Sequence, residues 1–369
     1  VCKIVSRQQK RRAAREAKKK RQKTTATAGT PGYVDNLFET AISHHGASQF
    51  EEAIKFYNQI LSITPAQPDA LHLKGVAYSQ TGRLEEGIAL IEEAITTRSD
   101  SVDYLNNLGL LQIQADRLDE AEVTLRKAIG LALAYLPAYI NLATMLERAG
   151  RQTDAVTCYR AAIQIDPRNS VLHGNLGLLL QKSGETDAGL TAVRDAVDLA
   201  PQSPEARNNL ANVLKEVGDF DAAEVEYKHA ISLKPDYANA YQNLGSLLIE
   251  MGRAIDGIEA LRRALSLQPD HEQAFVNLAA GLNQTERLVE GAAAARRAIE
   301  INPDLPDAHN NLGIALRALG DYIGAETAYR RVIELNPAHA RGHSNFLYAI
   351  DFNTTYDASD HQAERGRWY

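Results

Sequence analysis

The stretch that decides the fold is residues 102–135, VDYLNNLGLLQIQADRLDEAEVTLRKAIGLALAY, because its pattern returns every 34 residues. In seven of nine copies the position third from the end is proline: Pro65, Pro167, Pro201, Pro235, Pro269, Pro303 and Pro337. The nine copies, numbered here as repeats 1 to 9, span residues 34–67, 68–101, 102–135, 136–169, 170–203, 204–237, 238–271, 272–305 and 306–339. A fixed period of this length indicates a repeat protein, in which each copy contacts mainly its neighbours.

Small residues occupy two further positions in every copy. The eighth position is always Gly or Ala, as at Gly109, and so is the twentieth, as at Ala121. Two small residues in these places allow two helices to approach closely. Glycines such as Gly150 and Gly218 fall between them, where a first helix must end, and glycine takes the left-handed conformation there without steric cost. Because the closing proline ends the second helix, each repeat is predicted to be a helix, a turn and a helix, and the chain to be all-α.

These residues resemble the tetratricopeptide repeat, whose pattern has Leu-Gly in the first helix, Gly at the turn, Ala and then an aromatic residue in the second helix, and Pro at the end. The resemblance covers residues 34–339 and implies a right-handed superhelical solenoid of about nine repeats, with the first helices on the concave side. Residues 1–33 then form a basic arm and linker, and residues 340–369 a C-terminal capping or junction segment. Repeat 3, with Leu133 in place of proline, predicts a longer second helix or an altered superhelical step.

Charge is distributed unevenly along the 369 residues. Residues 1–23 hold eleven Lys or Arg and one Glu, whereas the remainder holds 29 Lys or Arg and 46 Asp or Glu. The acidic remainder argues against nucleic-acid binding by the repeats. The basic arm has two interpretations: it binds nucleic acid, acidic lipid or a nuclear import receptor, or it is a solvated tail.

Cysteine content and hydropathy suggest the compartment. Cys2 and Cys158 are the only cysteines, and they form neither a CxxC motif nor a disulfide framework, which predicts a reducing, cytoplasmic environment. No apolar run approaches the length of a membrane span, so no membrane association is expected.

The candidate binding residues share the sixth position of the repeat. This position is asparagine in repeats 3 to 9 and in the segment that follows: Asn107, Asn141, Asn175, Asn209, Asn243, Asn277, Asn311 and Asn345. We call these eight residues the asparagine ladder. Asparagine is a mediocre helix former, so its recurrence inside first helices needs a reason. Two interpretations are open: the amides bind the main chain of an extended peptide, or they hydrogen-bond the neighbouring repeat.

Neighbouring positions on the first helices are polar without a dominant charge. Asn106, Asn208 and Asn310 double the ladder in every third repeat, and positive and negative side chains are mixed. No lysine cluster offers a clamp for a terminal carboxylate. The sequence therefore predicts a protein-interaction scaffold that binds an extended, largely uncharged protein segment, and the convex face leaves room for a homodimer.

The C-terminal segment suggests an alternative function. HSNFLYAIDF, followed by a short turn and HQAERGRW, looks like the junction in bacterial protein O-linked N-acetylglucosamine transferases, where a tetratricopeptide superhelix with an asparagine ladder leads into the catalytic region. The start SRQQKRRAAREAKKK is also similar to some bacterial members. This resemblance implies the substrate-recognition arm of a glycosyltransferase whose catalytic region lies beyond residue 369. No family catalytic residue maps onto this sequence, so it leaves open whether the protein is an enzyme.

No other motif predicts chemistry. Asp219-Phe220-Asp221 has the DxD form of a glycosyltransferase metal site, but its place at the start of a second helix favours a helix-terminal role. His44 and His45 are adjacent, and adjacent residues on a helix face different directions. No hydrolase, kinase or nucleotide-binding motif occurs, so no catalytic residue, metal or cofactor is expected.

Overall fold

The computed structural model of the protein describes residues 32–351 together with 362, 365 and 366. Within them lie nineteen α-helices and no strand, which confirms the all-α prediction. The helices are α1 Tyr33–Gly46, α2 Phe50–Ile63, α3 Pro68–Gln80, α4 Leu84–Thr97, α5 Val102–Gln114, α6 Leu118–Leu131, α7 Leu136–Arg148, α8 Gln152–Ile165, α9 Ser170–Lys182, α10 Thr186–Leu199, α11 Pro204–Glu216, α12 Phe220–Leu233, α13 Ala238–Glu250, α14 Ala254–Leu267, α15 Glu272–Gln284, α16 Leu288–Ile301, α17 Pro306–Ala318, α18 Tyr322–Leu335 and α19 Ala340–Ile350.

The chain divides into two compact units, the first ending at Leu172 and the second beginning at His173. In each unit the odd-numbered helices are the first helices of repeats and the even-numbered helices are the second helices. A first helix packs on its own second helix, and that second helix packs on the next first helix. This is the stacking of an α-solenoid.

First helices of successive repeats also contact one another. Contacts of this kind join α3 to α5 and α5 to α7 in the first unit. In the second unit they join each first helix from α11 to α17 to the next first helix, the last of which is α19. No two successive second helices contact one another to that extent within the described residues. Inside each unit the first helices are therefore the more crowded layer, and we call the surface that they present the first-helix side.

The small residues produce close contact between the two helices of a repeat. A Cβ atom placed on Gly75 would lie 2.6 Å from the carbonyl oxygen of Gly87, and one placed on Gly87 would lie 2.6 Å from the carbonyl oxygen of Gly75. Large side chains four residues after the second small position fill the space beside them, and Tyr57, Leu125 and Tyr227 are at most 1% exposed. The core of each repeat therefore depends on pairing a small residue with a large one.

Prolines and capping side chains of the repeat pattern mark the ends of the helices. Proline opens α3, α11 and α17, where a missing N–H costs nothing. The side chain of Ser203 accepts a hydrogen bond from the backbone N–H of Ala206, and that of Asp321 accepts one from Gly324.

The longer second helix predicted for repeat 3 is wrong, because α6 ends at Leu131 and has 14 residues, as α4 and α8 do. A turn in which Tyr135 N–H donates to the Ala132 carbonyl ends α6 without a proline.

All nine turns inside the repeats use one residue with positive φ. Six of these residues are the predicted glycines, with φ between 73° and 86°: Gly82, Gly150, Gly184, Gly218, Gly252 and Gly320. The other three, at the same position of repeats 1, 3 and 8, are Ser48, Asp116 and Glu286, with φ of 60°, 60° and 59°. The geometry of the turn therefore imposes a left-handed residue even where the sequence does not supply glycine.

We expect Glu286→Gly to stabilise the protein. A side chain with a Cβ atom costs about 1 kcal/mol in the left-handed conformation, and glycine removes that cost, partly offset by its freedom in the unfolded chain. The matched control is Gly252→Glu, which should destabilise the neighbouring repeat by a similar amount. Thermal unfolding of both variants measures the effect, and a lower melting temperature for Glu286→Gly would contradict it.

Candidate functional site

The asparagine ladder lies on the first-helix side. Each of its eight members is the sixth residue of an odd-numbered helix from α5 to α19. Asn107 and Asn311 are buried, with 6% and 8% exposure, and the other six are half-buried. The ladder therefore sits at the boundary between the helix packing and the surface, where an amide can serve either.

Three ladder residues hydrogen-bond to another asparagine 35 positions earlier, on the preceding first helix. In each case the ladder Nδ2 donates to the earlier Oδ1, over 2.8 Å from Asn141 to Asn106, 3.1 Å from Asn243 to Asn208 and 2.9 Å from Asn345 to Asn310. The residues that double the ladder in every third repeat are thus its acceptors. These bonds have the geometry expected of the interpretation in which the ladder ties repeats together.

Two other members reach the same preceding position through different acceptors. Asn311 Nδ2 donates to the backbone carbonyl of Val276 over 3.0 Å. Asn107 Nδ2 lies 2.8 Å from Nε2 of His72, which is 2% exposed and stacks on Tyr104 with 4.4 Å between the ring centres. Because the amide donates, Nε2 accepts and the imidazole is neutral. Burial lowers the pKa of His72 to about 3, which agrees with a neutral ring.

Among the residues that the structure describes, Asn209 and Asn277 make no hydrogen bond to the preceding repeat. Asn209 faces Gly174, and a Cβ atom on that glycine would lie 3.1 Å from Asn209 Nδ2. Glycine supplies no side-chain acceptor, and within the described residues the Asn209 side chain makes no hydrogen bond. Asn277 accepts a hydrogen bond of 3.2 Å from Gln273, one turn earlier on the same helix. Polar capacity therefore remains on the ladder in the second unit.

A polar network extends from the ladder in repeats 6 and 7. Asn212 Oδ1 accepts from the hydroxyl of buried Tyr227 over 2.7 Å and from Asn243 Nδ2 over 3.1 Å. Nearby, Lys215 Nζ lies 2.8 Å from a carboxylate oxygen of Glu250. The sequence analysis predicted neither Asn212 nor this ion pair, although the 34-residue spacing places Asn212, Lys215 and Glu250 on first helices. The network leaves this part of the first-helix side polar and locally neutral.

The other candidates have structural surroundings. The side chain of Asp219 caps α12 by accepting from Ala222 N–H over 3.2 Å, as its helix-terminal position indicated. His44 stacks on Phe56, whereas His45 is buried with Nδ1 3.2 Å from the Tyr57 hydroxyl, so the two rings do not converge. Over the part of the chain that the structure describes, no group of His, Cys, Asp or Glu has the arrangement of a metal site. The basic arm, residues 1–23, lies outside the described residues.

No helix among the described residues has the length and apolar character that a membrane span requires. Family models described as tetratricopeptide repeat or TPR repeat match residues 44–106, 102–135, 148–184, 212–252, 238–271 and 306–339. Together these matches cover more than half of the chain. A search of curated proteins finds no match.

Solved structures with the same fold share little sequence with this chain. The crystal structure of the APC/C hetero-tetramer Cut9-Hcn1 matches with a TM-score of 0.55 and 18% identity, and the match covers 85% of this chain but 60% of that chain. A tetratricopeptide repeat protein from Parabacteroides merdae ATCC 43184 matches with a TM-score of 0.58 and 17% identity, over 68% of this chain and 98% of that one. At these identities the matches show the fold alone.

Proposed function

Since the chain belongs to the tetratricopeptide repeat family, we propose that it is a protein-interaction scaffold whose first-helix side holds an extended protein segment along the asparagine ladder. The observation that carries the proposal is the recurrence of a half-buried amide at one position of successive first helices. Repeated amides at one helical position match the repeated amides of an extended main chain better than any single side chain would.

The two interpretations of the ladder are compatible in chemical terms. An asparagine side chain has two N–H donors and an oxygen with two lone pairs. The bond from Asn141 to Asn106 uses one donor and leaves the oxygen and the second N–H of Asn141. A ladder amide can therefore be oriented by the preceding repeat and still bind a ligand. Because the bond to the preceding repeat already fixes the side chain, binding a ligand costs less side-chain conformational entropy.

The charge on the first-helix side favours an uncharged segment. The ammonium group of Lys215 is matched by the Glu250 carboxylate at 2.8 Å, so this pair offers a ligand no net charge. Recognition through amides and main chain depends little on ligand sequence, which suits a scaffold that accepts several partners. A cytoplasmic location fits the half-buried free thiol of Cys158, whose pKa burial raises.

The test is a triple substitution, Asn175→Ala, Asn209→Ala and Asn243→Ala. The probe is a peptide selected against the unmodified protein from a random dodecapeptide library, and fluorescence anisotropy measures its binding. We expect the ladder variant to bind the peptide at least tenfold more weakly, since each lost hydrogen bond between uncharged groups is worth about 1 kcal/mol of binding free energy.

The matched control is Thr191→Ala, Val225→Ala and Glu259→Ala, which are exposed residues on α10, α12 and α14 of the same three repeats. Both triple variants should keep the helical content of the unmodified protein. Equal affinity for the two variants would rule out a binding role for the ladder. Loss of helical content in the ladder variant alone would assign these amides to the packing between repeats.

A second candidate is the recognition region of a protein O-linked N-acetylglucosamine transferase. It is supported by the resemblance of residues 340–369 to the junction of that family and by the similar start of the chain. Helix α19 carries the part of the junction that reads ARGHSNFLYAI. The intact mass of the native protein tests it. A species near 40.4 kDa excludes a catalytic region beyond residue 369, and a much larger species whose added sequence carries that region supports it.

A further inference from the structure

Three exposed aliphatic residues lie at one position of the second helices in repeats 7 to 9. Ile255, Val289 and Ile323 are the second residues of α14, α16 and α18, and each follows the previous one by 34 positions. Their side chains are 71%, 70% and 66% exposed. Single exposed aliphatic residues are normal on a protein surface, but three at the same position of successive repeats are aligned along the stack. We call these three residues the aliphatic row.

The same position is polar in the other six repeats. It is acidic in five of them and threonine in the sixth: Glu51, Glu85, Asp119, Asp187, Asp221 and Thr153. An acidic residue in the first turn of a helix is stabilised by the helix dipole, whereas a β-branched aliphatic residue gains nothing from the dipole and is a mediocre helix former. Repeats 7 to 9 thus replace a stabilising charge by exposed apolar surface. Burial of that surface by a partner would restore the lost stability.

An arginine without a carboxylate lies beside the aliphatic row. Between repeats 7 and 8, Nη2 of Arg262 on α14 lies 3.0 Å from Oε2 of Glu290 on α16, which is 28 residues later. The residue 28 positions after Arg296 is Gly324, so the equivalent carboxylate is missing between α16 and α18. Arg296 is exposed and forms no ion pair with any described residue. Because Gly324 directly follows Ile323, the repeat geometry places the unmatched charge of Arg296 next to the row.

The spacing of the row fits an α-helix laid across the second helices. Neighbouring helices lie about 10 Å apart, and the ion pair between Arg262 and Glu290 shows that α14 and α16 are neighbours at the surface. Seven residues of an α-helix rise about 10.5 Å. A crossing helix can therefore place aliphatic residues seven apart on the three residues of the row. A carboxylate three or four residues from one of them lies on the same helix face, within reach of Arg296.

We propose that the aliphatic row and Arg296 form a docking surface for an amphipathic α-helix of another protein, with aliphatic residues seven apart and an acidic residue one turn from them. Such a helix covers the apolar surface and matches the charge of Arg296. An anionic membrane fits less well, because Glu259 lies one turn after Ile255 and Glu290 directly follows Val289, and both exposed carboxylates repel acidic headgroups. The surface is on the second helices and the ladder on the first, so the two can bind different segments.

The test is a selection against the full chain from a displayed library of helical peptides, three heptads long and randomised on one face. Fluorescence anisotropy then compares the unmodified protein with a row variant that combines Ile255→Asp, Val289→Asp and Ile323→Asp. Aspartate occupies this position in repeats 3, 5 and 6, so the row variant should keep its helical content. We expect at least tenfold weaker peptide binding to the row variant, because the apolar contacts are lost.

A double-mutant cycle tests the charge. Arg296→Gln should weaken binding by about threefold to tenfold, and replacing the acidic residue of the peptide by glutamine should weaken it by the same factor. Both changes together should cost no more than one alone, because each removes the same ion pair. If the two effects were independent, Arg296 would not be the partner of that carboxylate and the proposal would be wrong.

The matched control is Val225→Asp, which places the same charge on an exposed valine of α12 outside the row and should leave peptide binding unchanged. The variant Asn175→Ala, Asn209→Ala and Asn243→Ala should also bind fully, so this result is independent of the ladder proposal. Unchanged affinity of the row variant would overturn the docking surface, as would selected peptides without the seven-residue aliphatic spacing.

Two further outcomes would assign the row to a different occupant and overturn the proposal. The first is binding of the unmodified protein, but not of the row variant, to vesicles of phosphatidylcholine and phosphatidylserine, which would make the row a membrane contact. The second is a concentration-dependent dimer that the row variant loses, measured by light scattering after size-exclusion chromatography. We expect neither vesicle binding nor such a dimer.

Discussion

Gly245→Val is expected to destabilise the second unit by about 3 kcal/mol, the upper part of the range for overpacked cores. A Cβ atom on Gly245 would lie 2.6 Å from Cγ of Leu261 and 2.9 Å from the backbone oxygen of Gly257. The leucine can move to another rotamer, but the oxygen belongs to the backbone of α14 and moves only if the helix pair separates. Urea unfolding followed by far-UV circular dichroism measures the loss.

Gly130→Val is the matched control for this substitution. Gly130 lies near the end of α6, is exposed, and has nothing within 4 Å of a Cβ atom placed on it. The same change should be neutral or slightly stabilising there, because valine has a higher helix propensity than glycine. If both variants lost equal stability, the cost would not come from the close approach of α13 and α14.

The close approach itself could be predicted from sequence, but not its distances. A small residue at two fixed positions of every repeat implies two helices in contact. The sequence alone does not show that α13 and α14 meet through Gly245 and Gly257, whereas α11 and α12 leave room for methyl groups at Ala211 and Ala223. The left-handed conformation of Glu286 likewise could not be predicted from the residue type, because only the common geometry of the turns requires it.

The ladder shows a similar division. Periodicity placed all eight asparagines on first helices, and it showed that a second asparagine precedes Asn107, Asn209 and Asn311. Which amide donates to which oxygen depends on the offset between successive helices, and that offset appears only in the structure as a step of 35 residues.

Two buried histidines should make the first unit sensitive to acid. His72 and His45 are 2% and 6% exposed, and burial lowers their pKa values to about 3 and about 4. Asp69 opposes this shift at His72, whereas Arg98 and the neighbouring His45 add to it. The unfolded chain binds these protons below about pH 6.5, and the folded protein binds them only near its lowered pKa values. The unfolded state thus holds more protons in between, so stability is complete above pH 6.5 and falls as the pH drops below it.

pH 4.5 lies two units below the ordinary histidine pKa of 6.5 and still above both lowered values. At about 1.4 kcal/mol per pH unit, each histidine should therefore lower the free energy of unfolding of the first unit by about 2–3 kcal/mol relative to pH 7.5. Hydrogen–deuterium exchange, corrected for intrinsic rates, should show opening of α1 to α5 before α13 to α17, since repeats open locally. Carboxylates also titrate in this range, so the informative quantity is the difference between the unmodified protein and the double variant His45→Gln, His72→Gln. A glutamine at position 72 keeps an acceptor for Asn107 but binds no proton. If that variant opened at the same pH as the unmodified protein, carboxylates and not the buried imidazoles would govern the acid response. The control is His229→Gln, at an exposed site in the second unit, which should leave the pH profile unchanged in either case.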